Sequence, residues 1–351
     1  MSELPFPCLE GVPLAGYTTI RLGGPARFFS PCRTLEQARE CLFWARARRL
    51  RVHILGGGSN VVFSDRGFDG AVIQVALSGV SVREVGAWAL VEAAAGEPWD
   101  ALVELCVDRG FSGIECLSGI PGTVGAVPIQ NVGAYGQEAA ETIEHVKALR
   151  LDSLGEARFS KQDCAFGYRQ SRFKSRDAGR YLVTTVTFRL RKGGASAIRY
   201  PELAARLRSS GDPCPKAVRE AVLAIRRKKS MLIDPADPES VSVGSFFLNP
   251  LMTREAFQEL ETLWRRSGAQ EGVPAFPAAD RVKVPAAWLV ERSGFTKGYR
   301  RGGVGVSANH ALALVNRGGS AQELLALAEE IRAKVLERFG VRLELEPVVV
   351  E

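Results

Sequence analysis

The sequence predicts an α+β protein built from two or three folding units. Three observations carry this expectation. The chain has 351 residues, too many for one small domain. Short apolar strand-like runs and amphipathic helical patterns are mixed along its length. A stretch rich in turn residues, about 192–212, marks a boundary between them.

Taken in order, residues 34–50 read as an amphipathic helix. Thr34 and Gln37 have capping-box spacing, and Leu35, Ala38, Leu42 and Ala45 share one side. Val52 to Leu55 is a short apolar strand. Gly56-Gly57-Gly58-Ser59-Asn60 follows, then a second apolar run, Val61 to Phe63. Ala71 to Leu77 and Ala89 to Ala94 read as strands. Pro98 to Arg109 reads as a helix, opened by Pro98 and stopped by Gly110. Residues 116–136 are rich in glycine and nearly uncharged, too ordered in composition for a linker. Strands resume at Glu144 to Leu151 and Leu182 to Leu190. A basic helix spans Lys216 to Lys229. The last third mixes helix and strand, ending in a helix from Ala321 to Phe339 and a strand from Val341.

Composition narrows the function classes. Hydrophobic residues make up 46% and charged residues 24%, the balance of an ordinary soluble protein. The seven cysteines form no C-x-x-C pair, and the three histidines are scattered, so neither a disulfide framework nor a metal centre is expected. A reducing, cytoplasmic setting fits this usage. The net charge of +7 is dispersed and lacks a nucleic-acid motif; an anionic small substrate accounts for it equally well. The N-terminus does not read as a signal peptide, and no apolar run is long enough to span a membrane.

The two glycine stretches are the strongest local signal. Glycine lets a backbone approach a ligand closely and turn its N–H groups toward an anion. A dinucleotide loop of the Rossmann type is excluded, because Val61 stands at the third position and a strand, not a helix, follows. A Walker loop is excluded because no G-K-[ST] follows. Tight turns between strands remain the bland explanation for either stretch alone. Taken together, with Gln130, Asn131 and Tyr135 able to hydrogen-bond a ring or a ribose, they suggest a pyrophosphate held between two loops.

Four segments make a resemblance specific: T-T-I-R-L-G-G-P-A (Thr18 to Ala26), L-G-G-G-S-N-V (Leu55 to Val61), G-I-P-G-T-V-G-A (Gly119 to Ala126) and Q-N-V-G-A-Y-G (Gln130 to Gly136). In this order they resemble the UDP-N-acetylenolpyruvoylglucosamine reductase family, over nearly the whole chain. The resemblance implies a two-subdomain FAD-binding fold of the vanillyl-alcohol-oxidase (PCMH) type plus a C-terminal α+β substrate domain. It implies non-covalent FAD, with NADPH as hydride donor, held by Leu55, Gly56, Gly57, Gly58, Ser59, Asn60, Ile120, Pro121, Gly122, Gly125, Asn131, Gly133 and Tyr135.

Reduction of an enolpyruvyl ether needs a hydride, fixed donors for the developing enolate, and a proton for the other carbon. Arg169 follows Tyr168 in F-G-Y-R-Q-S, and an arginine can grip a carboxylate through two hydrogen bonds. By itself it reads as one surface arginine among many. The resemblance makes it the enolate-stabilising residue. Ser245 in G-S-F-F-L-N-P is by itself an ordinary turn serine, and the resemblance makes it the proton donor. Glu344 and Glu346 in V-R-L-E-L-E-P share a face if the segment is a strand, so periodicity does not separate them. The family's L-E-x-E pattern selects Glu346, useful beside an enolate if it is protonated or shares a proton. The resemblance further assigns Tyr168, Tyr200, Lys229 and Asn249 to the substrate, with Lys229 suited to a diphosphate. Tyr200 points to the family branch that covers its substrate with a loop. Leu248 departs from the lysine common before Asn-Pro, and about three extra residues lie between Lys229 and Gly244.

The expected organisation is an FAD-binding domain over residues 1–195, a substrate domain over 213–340, and a terminal strand, 341–351, returning to the first subdomain. The expected partner is a small nucleotide sugar, with no nucleic acid, no membrane and a monomeric state. A flavin oxidase of the same superfamily and a non-enzymatic nucleotide- or RNA-binding protein, which would explain the +7 charge, are the competing readings. No histidine lies in either glycine loop to attach a flavin covalently.

Overall fold

A computed structural model describes residues 6–194, 196–208, 211, 213–278 and 280–351. Packing divides the chain into two compact units that interleave in sequence. Unit 1 takes the residues up to Pro13, Pro25–Gly58 and Phe68–Leu232; unit 2 takes Leu14–Gly24, Ser59–Gly67 and Ile233–Glu351.

Unit 1 holds two large sheets and a two-stranded one, Gly133–Ala134 with Gln137–Glu138. The first runs Leu9–Pro13, Pro25–Cys32, Phe68–Val75, Arg51–Leu55 in space. Its outer pair is antiparallel and its other two pairings are parallel. The helix Leu35–Ala47 makes the crossover between Pro25–Cys32 and Arg51–Leu55. Thr34 caps it, accepting from Gln37 N at 3.2 Å. The Gln37 side chain accepts from Arg33 N at 2.8 Å, one residue before the partner a capping box would use. The second sheet is antiparallel, in the order Glu156–Ser160, Ile143–Arg150, Tyr181–Lys192, Trp88–Ala94, Val80–Val85. Helix Trp99–Asp108 starts at Pro98, and its Trp99 ring packs at 5.6 Å, tilted by 52°, against Phe188 of the long central strand. One apolar core joins both sheets, from Leu42 and Ile73 to Ile143 and Phe188.

Helices Pro201–Arg206 and Pro215–Lys228 pack in unit 1 around a small core of Cys116, Leu203, Val218, Val222 and Ile225. The sequence places the basic helix in the substrate domain, but its contacts lie elsewhere. Its apolar stripe covers Cys116 of the second glycine stretch. Its buried Arg219 reaches both oxygens of Asp100 at 2.5 and 3.0 Å and Glu104 at 3.2 Å. The compact division therefore falls after Leu232, not in the turn-rich stretch. Residues 195, 209, 210 and 212 of that stretch lie outside the described residues.

Unit 2 has a four-stranded antiparallel sheet, Ser242–Ser245, Ala313–Asn316, Val304–Val306, Arg300–Arg301. A three-stranded sheet pairs Leu251–Met252, Arg281–Lys283 and Phe276–Ala278. Helix Ala321–Phe339 begins with a capping box between Ser320 and Glu323 and stops at left-handed Gly340. The Asp65 carboxylate accepts from Ala321 N and Gln322 N at 2.8 and 2.9 Å, on the positive end of that helix. Leu14–Gly24 and Ser59–Gly67 join this unit because Ile20, Leu22 and Val62 are buried in its core. The terminal strand is shorter than expected. It spans Val348–Val350, in parallel with Val61–Phe63. Pro347, which has no N–H to donate, precedes it, and residues 344–346 pair instead with 246–248.

Candidate active site

The strand Arg51–Leu55 ends at buried Leu55, and the chain turns through Gly56-Gly57-Gly58. The second glycine stretch lies directly against this turn. A Cβ on Gly57 would stand 2.7 Å from the Cα of Gly122, and one on Gly56 would stand 2.7 Å from Thr123 Oγ1. Two backbones this close require glycine. The N–H groups of Gly56, Gly57 and Gly58 make no backbone hydrogen bond among the described residues. Between the loops the Thr123 hydroxyl is buried and has no hydrogen-bond partner among the described residues. Such a group costs about 1–3 kcal/mol if nothing completes it. Donors with no protein acceptor, on a narrow glycine cradle, fit the pyrophosphate of a dinucleotide cofactor. Farther along the stretch the N–H groups are already in use: Val124 N donates to Glu97 O at 2.9 Å and Gly125 N to Ala95 O at 2.8 Å. Ile120 packs against the core of unit 1, after Gly119, which is held by its N–H on Asp100 at 2.6 Å and its carbonyl on Arg226 Nε at 3.1 Å.

Tyr168 and Arg169 form the tip of a tight turn. Gly167 and Gln170 exchange backbone hydrogen bonds at 3.0 and 3.1 Å across it. Arg169 has φ of +52°, a left-handed conformation that disfavours a long side chain by about 1–2 kcal/mol. Strain of this kind persists where the surroundings over-determine it. Here Arg169 Nη2 donates to Gly133 O at 2.6 Å and Nη1 to Asn131 O at 3.5 Å, while the guanidinium carbon lies 5.5 Å from the Tyr168 ring centre. A Cβ on Gly133 would come within 3.1 Å of Nη1, so glycine makes room for the guanidinium.

Asn131, expected among the cofactor contacts, is 1% exposed and its side chain is fully used within the protein. Its Nδ2 donates to Glu138 Oε2 at 2.8 Å and Gly167 O at 2.9 Å, and its Oδ1 accepts from Ala140 N at 3.0 Å.

Tyr135 and Tyr200 meet edge to face at 5.3 Å. Burial raises the Tyr135 pKa against the pull of Arg226 and Lys229. Lys229 Nζ donates to Glu202 at 2.6 Å. Burial opposes the Lys229 charge, but the Glu202 hydrogen bond and charge outweigh it and hold the lysine pKa above its usual value. Arg226, one helical turn before Lys229, is buried and also bonds Met231 O at 2.7 Å. The sequence alone does not mark Thr123, Glu202 and Arg226 as site residues. The helical spacing of Arg226 and Lys229 was the available signal for one of them.

In unit 2, Ser245 ends its strand opposite Ala313, after an irregular register and Gly244 at φ +77°. The buried rings of Phe246 and Phe247 anchor the following residues in the core. The half-buried Ser245 hydroxyl makes no hydrogen bond to a described residue. Phe246 N donates to Leu312 O at 2.8 Å, and Phe246 O accepts from Glu346 N at 3.0 Å. Leu248 N donates to Glu344 O at 2.9 Å, a backbone tie that its changed side chain leaves intact. The Ser245 segment and Glu346 are thus neighbours. Exposure separates the two glutamates that periodicity does not: Glu344 is exposed and Glu346 half-buried. Asn60 Nδ2 donates to Glu346 O at 3.2 Å, and Asn60 O accepts from Val348 N at 3.0 Å, directly after Ser59. From the first motif, Thr19 Oγ1 donates to Ser242 O at 2.6 Å at the base of the serine strand. Asn249, expected on the substrate, uses its Oδ1 to accept from Ala286 N at 2.9 Å, capping the helix Ala286–Arg292.

The chain is similar to known proteins along nearly its whole length. A sequence model of the UDP-N-acetylenolpyruvoylglucosamine reductase C-terminal domain matches residues 236–350, and one of an FAD binding domain matches residues 26–153. The chain is 47% identical over 348 residues to the UDP-N-acetylenolpyruvoylglucosamine reductase of Thermobifida fusca, covering 97% of each. It is 43% identical to that of Mycobacterium tuberculosis, covering 97% of this chain and 95% of the relative. Its fold is similar to the crystal structure of UDP-N-acetylenolpyruvylglucosamine reductase from Thermus caldophilus, with a TM-score of 0.66, 24% identity, and coverage of 99% and 100% of the two chains.

Proposed function

The chain belongs to the UDP-N-acetylenolpyruvoylglucosamine reductase family, and on that premise we propose how its residues divide the reaction. The enzyme is an FAD-dependent oxidoreductase of peptidoglycan precursor synthesis, which uses NADPH to reduce UDP-N-acetylglucosamine enolpyruvate to UDP-N-acetylmuramate. Bound FAD would supply the hydride-transfer chemistry between NADPH and the alkene.

Gly56, Gly57, Gly58 and the Thr123 hydroxyl hold the pyrophosphate, with Leu55, Ser59, Asn60, Ile120, Pro121, Gly122 and Tyr135 completing the cofactor contacts. Arg169 takes the substrate carboxylate in its fork and stabilises the charge that develops there. Ser245 gives its hydroxyl proton to the carbanionic carbon, in a setting where buried rings limit water. Glu346 hydrogen-bonds the enolate through a shared proton. Lys229 faces the diphosphate, Tyr168 and Tyr200 contact the nucleotide sugar, and Asn249 offers its Nδ2. In this division unit 1 carries most of the FAD contacts and the substrate residues Tyr168, Arg169, Tyr200 and Lys229, and unit 2 supplies Ser59, Asn60, Ser245, Asn249 and Glu346.

The observation that carries the reading is the contact of the two glycine loops at Gly57 and Gly122 around the unpartnered Thr123 hydroxyl. The test is NADPH oxidation by the flavin-loaded protein with and without the enolpyruvyl sugar nucleotide. Turnover that ignores the sugar nucleotide, or rapid oxygen consumption in its place, overturns it. Among the described residues no helix is long and apolar enough to cross a membrane. A cytoplasmic monomer is the expected form, checked by light scattering of the purified enzyme.

A further inference from the structure

We propose that Asn131, with Glu138, is a positioning residue that presents Arg169 to the substrate, rather than a cofactor contact. The proposal rests on the reading of Arg169 as the carboxylate-binding residue.

Two structures must be held for Arg169 to work: its left-handed turn and its guanidinium. Asn131 supports both. Its Nδ2 holds Gly167 O, the base of the turn, and its own carbonyl together with that of Gly133 receives the guanidinium. Asn131 is itself fixed. It has φ of +45°, a conformation asparagine tolerates better than most residues, and Glu138 Oε2 and Ala140 N lock its amide. Glu138 is fixed in turn, because its side chain caps the short helical turn Ala139–Glu141 and Glu141 caps it back. A third tie joins the same two segments, Ser171 Oγ to Ile129 O at 2.5 Å. A short loop is thus braced at three points around one strained arginine. Removing the middle brace leaves the fold its other ties but frees the turn and the fork together.

Asn131→Asp keeps the size and the tolerated backbone, and keeps an acceptor for Ala140 N. It removes both donor bonds and sets a carboxylate against Glu138 and Gly167 O. The measurement is anaerobic stopped-flow of the flavin-loaded enzyme, comparing flavin reduction by NADPH with reoxidation by the enolpyruvyl sugar nucleotide. A guanidinium displaced by about 1 Å predicts a reoxidation rate down roughly 10–100-fold, far more than any change in flavin reduction. The loss falls on the rate constant rather than on the sugar nucleotide's apparent affinity. The decisive readout is coupling: in an Arg169→Ala background, Asn131→Asp adds less than about 3-fold. Wild-type reoxidation in Asn131→Asp, or an equal loss in both backgrounds, overturns the proposal. Should Asn131→Asp fail to fold, the same cycle is run with Glu138→Ala, whose smaller loss must vanish in the Arg169→Ala background. If Arg169→Ala alone reoxidises at the wild-type rate, it is the role of Arg169 that falls, whatever Asn131 does.

Discussion

Replacing Gly57 with alanine tests the cofactor cradle at its narrowest point. The added Cβ would stand 2.7 Å from the Cα of Gly122, where carbon atoms settle at about 3.5–4.0 Å. Neither atom is the end of a flexible side chain, so the loops must part by roughly 1 Å. That displacement breaks the geometry of one or two charge-assisted hydrogen bonds to a pyrophosphate, each worth about 1.5–3 kcal/mol. The expected loss of FAD affinity is therefore on the order of 10- to 10³-fold, since about 1.4 kcal/mol is tenfold. The assay is titration of the apoprotein with FAD, followed by quenching of flavin fluorescence. Gly16→Ala is the control, because nothing lies within 4 Å of its added Cβ. Gly57→Ala that binds FAD within about 2-fold of wild type, with the control also unchanged, refutes the idea that the cofactor sits on the contact between the loops.

Other expectations follow from single groups. Ser245→Ala should leave flavin reduction by NADPH in place and abolish the substrate-reducing half-reaction; equal rates in both half-reactions would remove Ser245 as the proton source. Thr123→Val should weaken FAD binding by about 1 kcal/mol while leaving the apoprotein as stable or slightly more so, because the hydroxyl has no protein partner to lose; a clear drop in apoprotein melting temperature would contradict it. Burial lowers the His53 pKa to about 4 from 6.5. The unfolded chain then binds the proton first as pH falls, so stability is lost between about pH 6.5 and 4, by on the order of 2–3 kcal/mol at the lower end. His53→Gln should flatten that part of the stability profile in urea unfolding, and an unchanged slope would count against it.

Elements with a long period or a clear stop were legible from sequence. The helix Ala321–Phe339 has the expected bounds because its apolar stripe runs five turns between a capping box and Gly340. Trp99–Asp108 sits as expected between Pro98 and Gly110. What periodicity does not carry is the partner of a stripe. The stripe of Pro215–Lys228 predicts a helix, not that it covers Cys116 and pins Arg219 to Asp100. Likewise Ile20, Leu22 and Val62 are apolar, yet nothing local ties them to a core made mostly of residues beyond 240. The helix Pro201–Arg206 is too short to stand out from the turn residues around it. The β-branched run at the end of the chain extends the terminal strand past the point where Pro347 breaks it.

The two asparagines expected on ligands show where site reading from sequence reaches its limit. An asparagine amide has two donors and an acceptor, so it suits a ribose, a helix N-terminus or a carboxylate brace equally. Asn249 uses its acceptor on Ala286 N, and Asn131 uses all three functions within its loop. Charged residues are less ambiguous, because a buried guanidinium or ammonium needs a named counterpart. Lys229 pairs with Glu202 at 2.6 Å, and Arg169 donates to the carbonyls of Gly133 and Asn131. An acidic residue introduced beside the Arg169 fork competes with the substrate carboxylate for it, and should depress substrate reduction even where the fold is unharmed. Gly133→Asp is the wrong test, since any Cβ there crowds Nη1. Gln170→Glu, exposed at the base of the same turn, is the better one: its rate of flavin reoxidation by the sugar nucleotide should fall several-fold at low salt and recover as salt screens the added charge.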